Sequence, residues 1–206
     1  MLLFQHVRHT ALNMRVHVVH GILDAFGTAG ILQLVPYLKQ AGFEVRVPDY
    51  GLITALETKF ANPIITRTLY PYVDPGDIYI GHSNGCAIGY DLVQMGTQFA
   101  GMILINAALK CNIKLPAATW ADVYFNDDDD ATVAAEAASE LGMVDPCWGE
   151  MGHSGYLGSN PNITNIDCAN KVGMPPVSGH SDIFKLEKLP VWGPYIVNRL
   201  KMRLAR

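Results

Sequence analysis

Basic clusters are missing from this chain. Lys and Arg total 15 against 19 Asp and Glu, the formal net charge is −4, and the pI is near 5.9. The few basic residues that gather do so only near the C-terminus, so no electropositive face is expected and nucleic acid is excluded as a partner. Long apolar runs are missing too. No stretch of about 18 apolar residues exists, so no transmembrane span is expected. The opening Met1-Leu2-Leu3-Phe4-Gln5-His6 is too short for a secretory signal, and Arg8 and His9 break any apolar continuation of it. A cytoplasmic location is the matching expectation. Cysteine is scarce: Cys86, Cys111, Cys147 and Cys168 are the 4 in the chain, and none is spaced as Cys-x-x-Cys. Zinc-ribbon and thioredoxin-like readings therefore fail. Free thiols are the default, with a Cys147–Cys168 bridge left open. Charged residues make up only 17% and hydrophobic ones 50%, which argues against disorder. Internal repeats are absent, which excludes a solenoid.

What is present is a chain of 206 residues, long enough for one domain over 1–206 with a sizeable core. Short β-branched or apolar runs alternate with helical periodicities. Strands are predicted over 16–20, 43–48, 77–80, 102–106, 121–125 and 163–168, with one edge strand a further possibility within 1–13. Helices are predicted over 28–41, 59–72, 84–96, 131–141 and 191–204. Pro36 implies a kink or a late start in the first helix, and Pro63 and Pro71 interrupt the second. This alternation argues for an α/β fold with a mostly parallel central sheet and helices on both faces. In such sheets, sites form at the carboxyl ends of the strands.

The stretch that organises the rest is Ile78-Tyr79-Ile80-Gly81-His82-Ser83-Asn84-Gly85-Cys86-Ala87-Ile88-Gly89. An apolar strand runs into Gly-x-Ser-x-Gly and on into a helix. Gly-x-Ser-x-Gly alone arises by chance as a Gly-rich turn. The strand before it and the helix after it make it a nucleophile elbow, in which the glycines let two backbones pass close to a strained serine. Gly152-His153-Ser154-Gly155 is a look-alike with Tyr156 at the second glycine and no apolar strand ahead of it, and reads as loop.

A serine hydroxyl needs a general base, and the base needs an orienting carboxylate. His17 lies inside a strand, where a structural role is expected. His82 lies in the elbow with its ring pointing away from Ser83. His153 and His180 remain as candidates for the base. His180 is preferred because it follows the last strand, precedes the final helix and has Gly179 beside it. Asn126-Asp127-Asp128-Asp129-Asp130 follows the fifth strand. At least two of these aspartates read as a solvated turn and helix cap, and an EF-hand pattern is absent. Asp130 is favoured as the carboxylate, with Asp129 a close second. Oxyanion donors are expected from the Asn84 N–H and from the His20-Gly21 loop, where Ile22 is the candidate.

His20-Gly21, Gly81-His82-Ser83-Asn84-Gly85, the aspartates near 130 and Gly179-His180 together resemble the α/β-hydrolase superfamily, over roughly residues 16–204. The resemblance implies a serine hydrolase with Ser83 as nucleophile, His180 as base and Asp130 as acid, needing no metal or cofactor. Two departures stand out. Asn126-x-x-Asp129 replaces the usual Gly-x-x-Asp, and Ala107–Trp120 is too short for a separate cap. The expected partner is a small-molecule acyl ester. Thioesterase, acyltransferase and non-catalytic binding roles occur on the same fold. Trp148, Met151, Tyr156, Leu157 and Met174 either wall the site or are ordinary packing.

Overall fold

The structure, a computed structural model, describes residues 14–22, 30–51 and 53–205. The chain forms β1 (Arg15–Val19), α1 (Val35–Gln40), β2 (Glu44–Arg46), α2 (Thr58–Leu69), β3 (Ile78–His82), α3 (Asn84–Gln94), β4 (Gly101–Ile105), β5 (Trp120–Phe125), α4 (Asp130–Glu140), a one-turn α5 (Met151–Ser154), β6 (Ile163–Asp167) and α6 (Leu189–Leu204). The sheet order is β2-β1-β3-β4-β5-β6, and every pairing is parallel. The edge strand considered within 1–13 lies outside the described residues.

The strand sequences explain their placement. β3 and β4 are buried along their whole length, as continuous apolar runs in a doubly covered parallel sheet must be. Alternate side chains divide between two cores. Val16, Val18, Ile78, Ile80, Ile103 and Ile105 pack under α1 and α6, with Trp192, Ile196 and Leu200. Tyr79, Met102, Leu104 and Val123 face α3 and α4, with Ile88, Leu92, Ala135 and Trp148. Each fully buried aliphatic side chain stabilises the fold by about 1.5–3 kcal/mol. Cys168 belongs to the first core and Cys147 borders the second, so the sheet separates them, and all four cysteines are free.

Most differences from the expected elements are local. The helix expected over 28–41 starts late. A 3₁₀ turn at Ile31–Leu34 precedes α1, and Pro36 sits in the first turn of α1, where its missing N–H costs nothing. The look-alike around His153 is a single helical turn and not a loop. Ala107 to Thr119 carries no helix or strand. At the far end of the chain, α6 is fixed to the sheet by Asp122, which is fully buried in β5 and accepts hydrogen bonds from Arg199 and Arg203.

Candidate active site

The parallel register sets the carboxyl ends of β1, β3, β4 and β5 side by side, since Val19 pairs with Gly81, His82 with Ile105, and Ile105 with Tyr124. His20, Ser83, Asn106 and Asn126 therefore emerge at one end of the sheet, and all four are buried.

Ser83 stands between β3 and α3 with φ 55° and ψ −126°, a conformation that side chains rarely adopt. What holds it there is the closeness of the neighbouring backbones. A Cβ at Gly85 would lie 2.3 Å from the Val19 carbonyl oxygen and 2.6 Å from that of His20. A Cβ at Gly21 would lie 2.8 Å from the Ser83 Cβ. The elbow is thus wedged against the end of β1, and only glycine fits at the contact. Asn84 is the first residue of α3, so its N–H has no carbonyl in a preceding turn to bond. The positive end of the helix dipole lies at the same point.

His180 reaches this end of the sheet from the irregular segment between β6 and α6. Its Nδ1–H donates to Asp129 Oδ1 at 2.8 Å. With that proton on Nδ1, Nε2 of the neutral ring carries the lone pair. The carboxylate on the imidazole is therefore Asp129, which corrects the choice of Asp130. Asp130 is exposed and opens α4, whereas Asp129 is its N-cap and is wholly buried. A cap side chain turns back over the helix start, and here that turn carries the carboxylate inward. Asp129 Oδ1 also accepts from the Thr132 N–H at 3.4 Å, and Oδ2 accepts from Asn106 Nδ2 at 2.9 Å. Gly152 seals this carboxylate, since a Cβ there would stand 2.5 Å from Oδ2.

Further residues hold the His180 imidazole in place. Asn126 grips Gly179 at both backbone groups: Gly179 N–H donates to Asn126 Oδ1 at 3.0 Å, and Asn126 Nδ2 donates to the Gly179 carbonyl at 3.2 Å. His82 Nε2–H donates to the His180 carbonyl at 3.0 Å, and the two rings lie 4.8 Å apart. Phe184 meets the His82 ring edge-on at 5.1 Å. Asn106, with φ 45°, aims its amide at Asp129. Sequence reasoning missed Asn106. The available signal was a polar residue tolerant of positive φ, ending the run Ile103-Leu104-Ile105 at the site end of a strand. His17 is structural, as expected: it bonds Asp77 at 2.7 Å, with no part in this cluster.

The end of β1 is clamped by Tyr50. Its ring stacks on His20 at 4.1 Å, and its hydroxyl donates to the His20 carbonyl. His20 Nδ1–H in turn donates to the Gly21 carbonyl at 2.7 Å.

A cavity of about 370 Å³ opens over the serine and is lined by Ser83, His82, His180, Ser181, Ile22, Ala108, Ala131, Thr132, Ala135 and Trp148. Ser83, His180 and Ile22 share its surface, while Asp130 and His153 do not reach it. Of the five residues expected to form a wall or to pack, only Trp148 lines it. Met151 is core, Tyr156 and Met174 pack against opposite cores, and Leu157 is exposed. Among the described residues, no three His, Cys, Asp or Glu side chains come together as a metal-binding set. No helix among them is long and apolar enough to cross a membrane.

No protein-family model matches the chain, and no curated protein sequence does. Solved structures do. Alpha/beta hydrolase domain-containing protein 10 from mouse superposes with a TM-score of 0.58 at 10% identity, over 91% of this chain and 90% of that one. Est1E from Butyrivibrio proteoclasticus gives 0.54 at 11% identity, over 96% and 91%. A monoacylglycerol lipase from Paleococcus ferrophilus gives 0.53 at 14% identity, over 92% and 94%. The chain has the α/β-hydrolase fold. At these identities the likeness speaks for the fold alone, and the chemistry rests on the geometry of the cluster. The strained turn that follows β3, a strand inside the sheet, carries Ser83.

Proposed function

We propose that this protein hydrolyses carboxylic esters through an acyl-enzyme on Ser83, with His180 as general base and Asp129 as the acid that orients it. The observation that carries this reading is the 2.8 Å bond from His180 Nδ1 to the buried Asp129, on an imidazole that shares a cavity with a serine at φ 55°. His180 Nε2 takes the Ser83 proton as Oγ bonds the ester carbonyl carbon. The resulting oxyanion is received by the Asn84 N–H, with Ile22 N–H as the second donor. The same Nε2 returns its proton to the departing alcohol, leaving the acyl-enzyme. Water then repeats the sequence, giving the carboxylic acid and free serine. Asp129 stays ionised throughout and stabilises the imidazolium. The small apolar surfaces of Ala108, Ala131 and Ala135 beside the serine support an uncharged acyl group as substrate.

Intact mass after incubation with a fluorophosphonate tests this, run on wild type and Ser83→Ala. One adduct on wild type, absent from the variant, together with ester hydrolysis lost in the variant, is the expected result. Unchanged ester hydrolysis in Ser83→Ala would show the reading to be wrong.

A further inference from the structure

Trp148 belongs to two cavities at once. One is the 370 Å³ cavity over Ser83. The other, about 170 Å³, is lined by Lys110, Glu136, Ser139, Glu140, Pro146 and Trp148. Trp148 therefore stands between the space over the serine and a second space that is already formed.

That partition is held from several sides. Trp148 is buried, and its Nε1–H donates to Asn84 Oδ1 at 2.9 Å. Asn84 Oδ1 also accepts from Asn62 Nδ2 at 2.8 Å, and Asn84 Nδ2 returns a bond to Asn62 Oδ1 at 3.0 Å. Asn62 Nδ2 donates further to Asp145 Oδ2 at 2.6 Å. Asp145 in turn holds the backbone that carries the indole, since its side chain accepts from Cys147 N–H at 2.9 Å and its carbonyl from Trp148 N–H at 3.1 Å. Asn84, next to Ser83 in the chain, thus uses its side chain to fix the wall.

The wall also has a side. Trp148 packs in the core under α3 and α4. His180 leads into Ile183 and Phe184 on the opposite core. The leaving alcohol must take its proton from His180, so it departs on that side. The other substituent of the carbonyl, the acyl chain, then runs the opposite way, past Ala108 and Ala135 toward Trp148.

Resting on the ester-hydrolase reading above, we infer that Trp148 is the residue that limits acyl length, and that the natural substrates are esters of short-chain acids. A cavity of 370 Å³ is small for a ligand site, and its acyl end stops at a fixed indole. Removing that indole joins it to the second cavity, giving a longer channel ending among charged side chains.

The test compares kcat/KM for p-nitrophenyl acetate, butyrate, octanoate and decanoate in wild type, Trp148→Ala, Trp148→Phe and Ala135→Leu, with folding checked by circular dichroism. Wild type is expected to lose more than about tenfold between butyrate and decanoate, the scale on which a closed apolar pocket rejects extra methylenes. Trp148→Ala removes most of that loss by raising decanoate turnover. Trp148→Phe keeps a ring in the partition and keeps the short-chain preference. Ala135→Leu shifts the preference further, toward acetate. Should Trp148→Ala not fold, the other two variants decide. A wild type that hydrolyses decanoate as well as butyrate overturns the inference, as do length profiles that none of the folded variants moves. In those cases fluorophosphonate labelling and acetate hydrolysis persist, and the ester-hydrolase reading stands. A wild type with neither overturns both.

Discussion

Exchanging Asp129 for Asn tests the charge on the acid without emptying its site. Asp129 Oδ1 receives two donors, His180 Nδ1–H and Thr132 N–H, while Oδ2 receives Asn106 Nδ2–H. An amide therefore settles with its oxygen at the Oδ1 position, which keeps both bonds and the proton on His180 Nδ1. Its NH2 group then faces the Asn106 amide, which relieves the clash by turning over to present Oδ1, an atom with no partner among the described residues. What the variant loses is the full negative charge beside an imidazolium. At 2.8 Å and an effective dielectric constant of 20, that attraction is about 6 kcal/mol. About 1.4 kcal/mol corresponds to each power of ten in rate, so kcat should fall by about four powers of ten. Asp130→Asn, on an exposed residue, is expected to stay within about twofold, the scale of an exposed helix-dipole charge. The assay is kcat/KM on p-nitrophenyl acetate with melting temperature as the control. If Asp129→Asn kept more than about a tenth of the activity, or Asp130→Asn lost as much, the assignment of the acid would be refuted.

Gly85→Ala drives a methyl group against the Val19 and His20 carbonyls, so melting should fall by about 5 °C or more, together with fluorophosphonate labelling. Asp91 gives a pH signature. Burial, with the Asp145 charge adding to it, pushes its carboxyl up to about 7, against about 3.9 in an unfolded chain. Between those values the native state holds a proton that the unfolded state has lost, so stability falls as pH rises from about 4 to 7. Urea unfolding of Asp91→Asn across that window should show a shallower decline than wild type. Removing Arg199 and Arg203 together strands the buried Asp122 charge and should cost about 3–5 kcal/mol by urea unfolding. Replacing Asp122 by Leu in the same double variant should recover much of that.

Hydrophobic periodicity carried most of the fold, because buried parallel strands such as Ile78–Ile80 and Met102–Ile105 must be continuous apolar runs. It also located the elbow, whose glycines are demanded by backbone contact. Choosing between Asp129 and Asp130 needed more than periodicity. Adjacent residues at a helix start differ only in whether the side chain folds back as a cap or projects outward, and consecutive aspartates carry the same local signal for both. Asn126 lay in plain view as a departure from the usual pattern, but its bonds to Gly179 join positions 53 apart in the chain. Trp148 was indistinguishable from Met151 or Tyr156 by composition, since all sit in a stretch without periodicity. What sets it apart is an indole N–H that finds Asn84, 64 residues away.

The imidazole proposed as the base does not ride on the sheet. It hangs from the connection between β6 and α6, just ahead of a 3₁₀ turn at Asp182–Phe184, secured by Asn126 at Gly179, by His82 at its own carbonyl and by Asp129 at its ring. Such a tether opens at a smaller free energy than the stacked strands beneath it. On heating, catalysis should therefore disappear while far-UV ellipticity is still native, and cooling from that intermediate range should restore it in full. An inactivation temperature measured on this protein would report the grip on one loop, and a melting temperature the cohesion of the two cores.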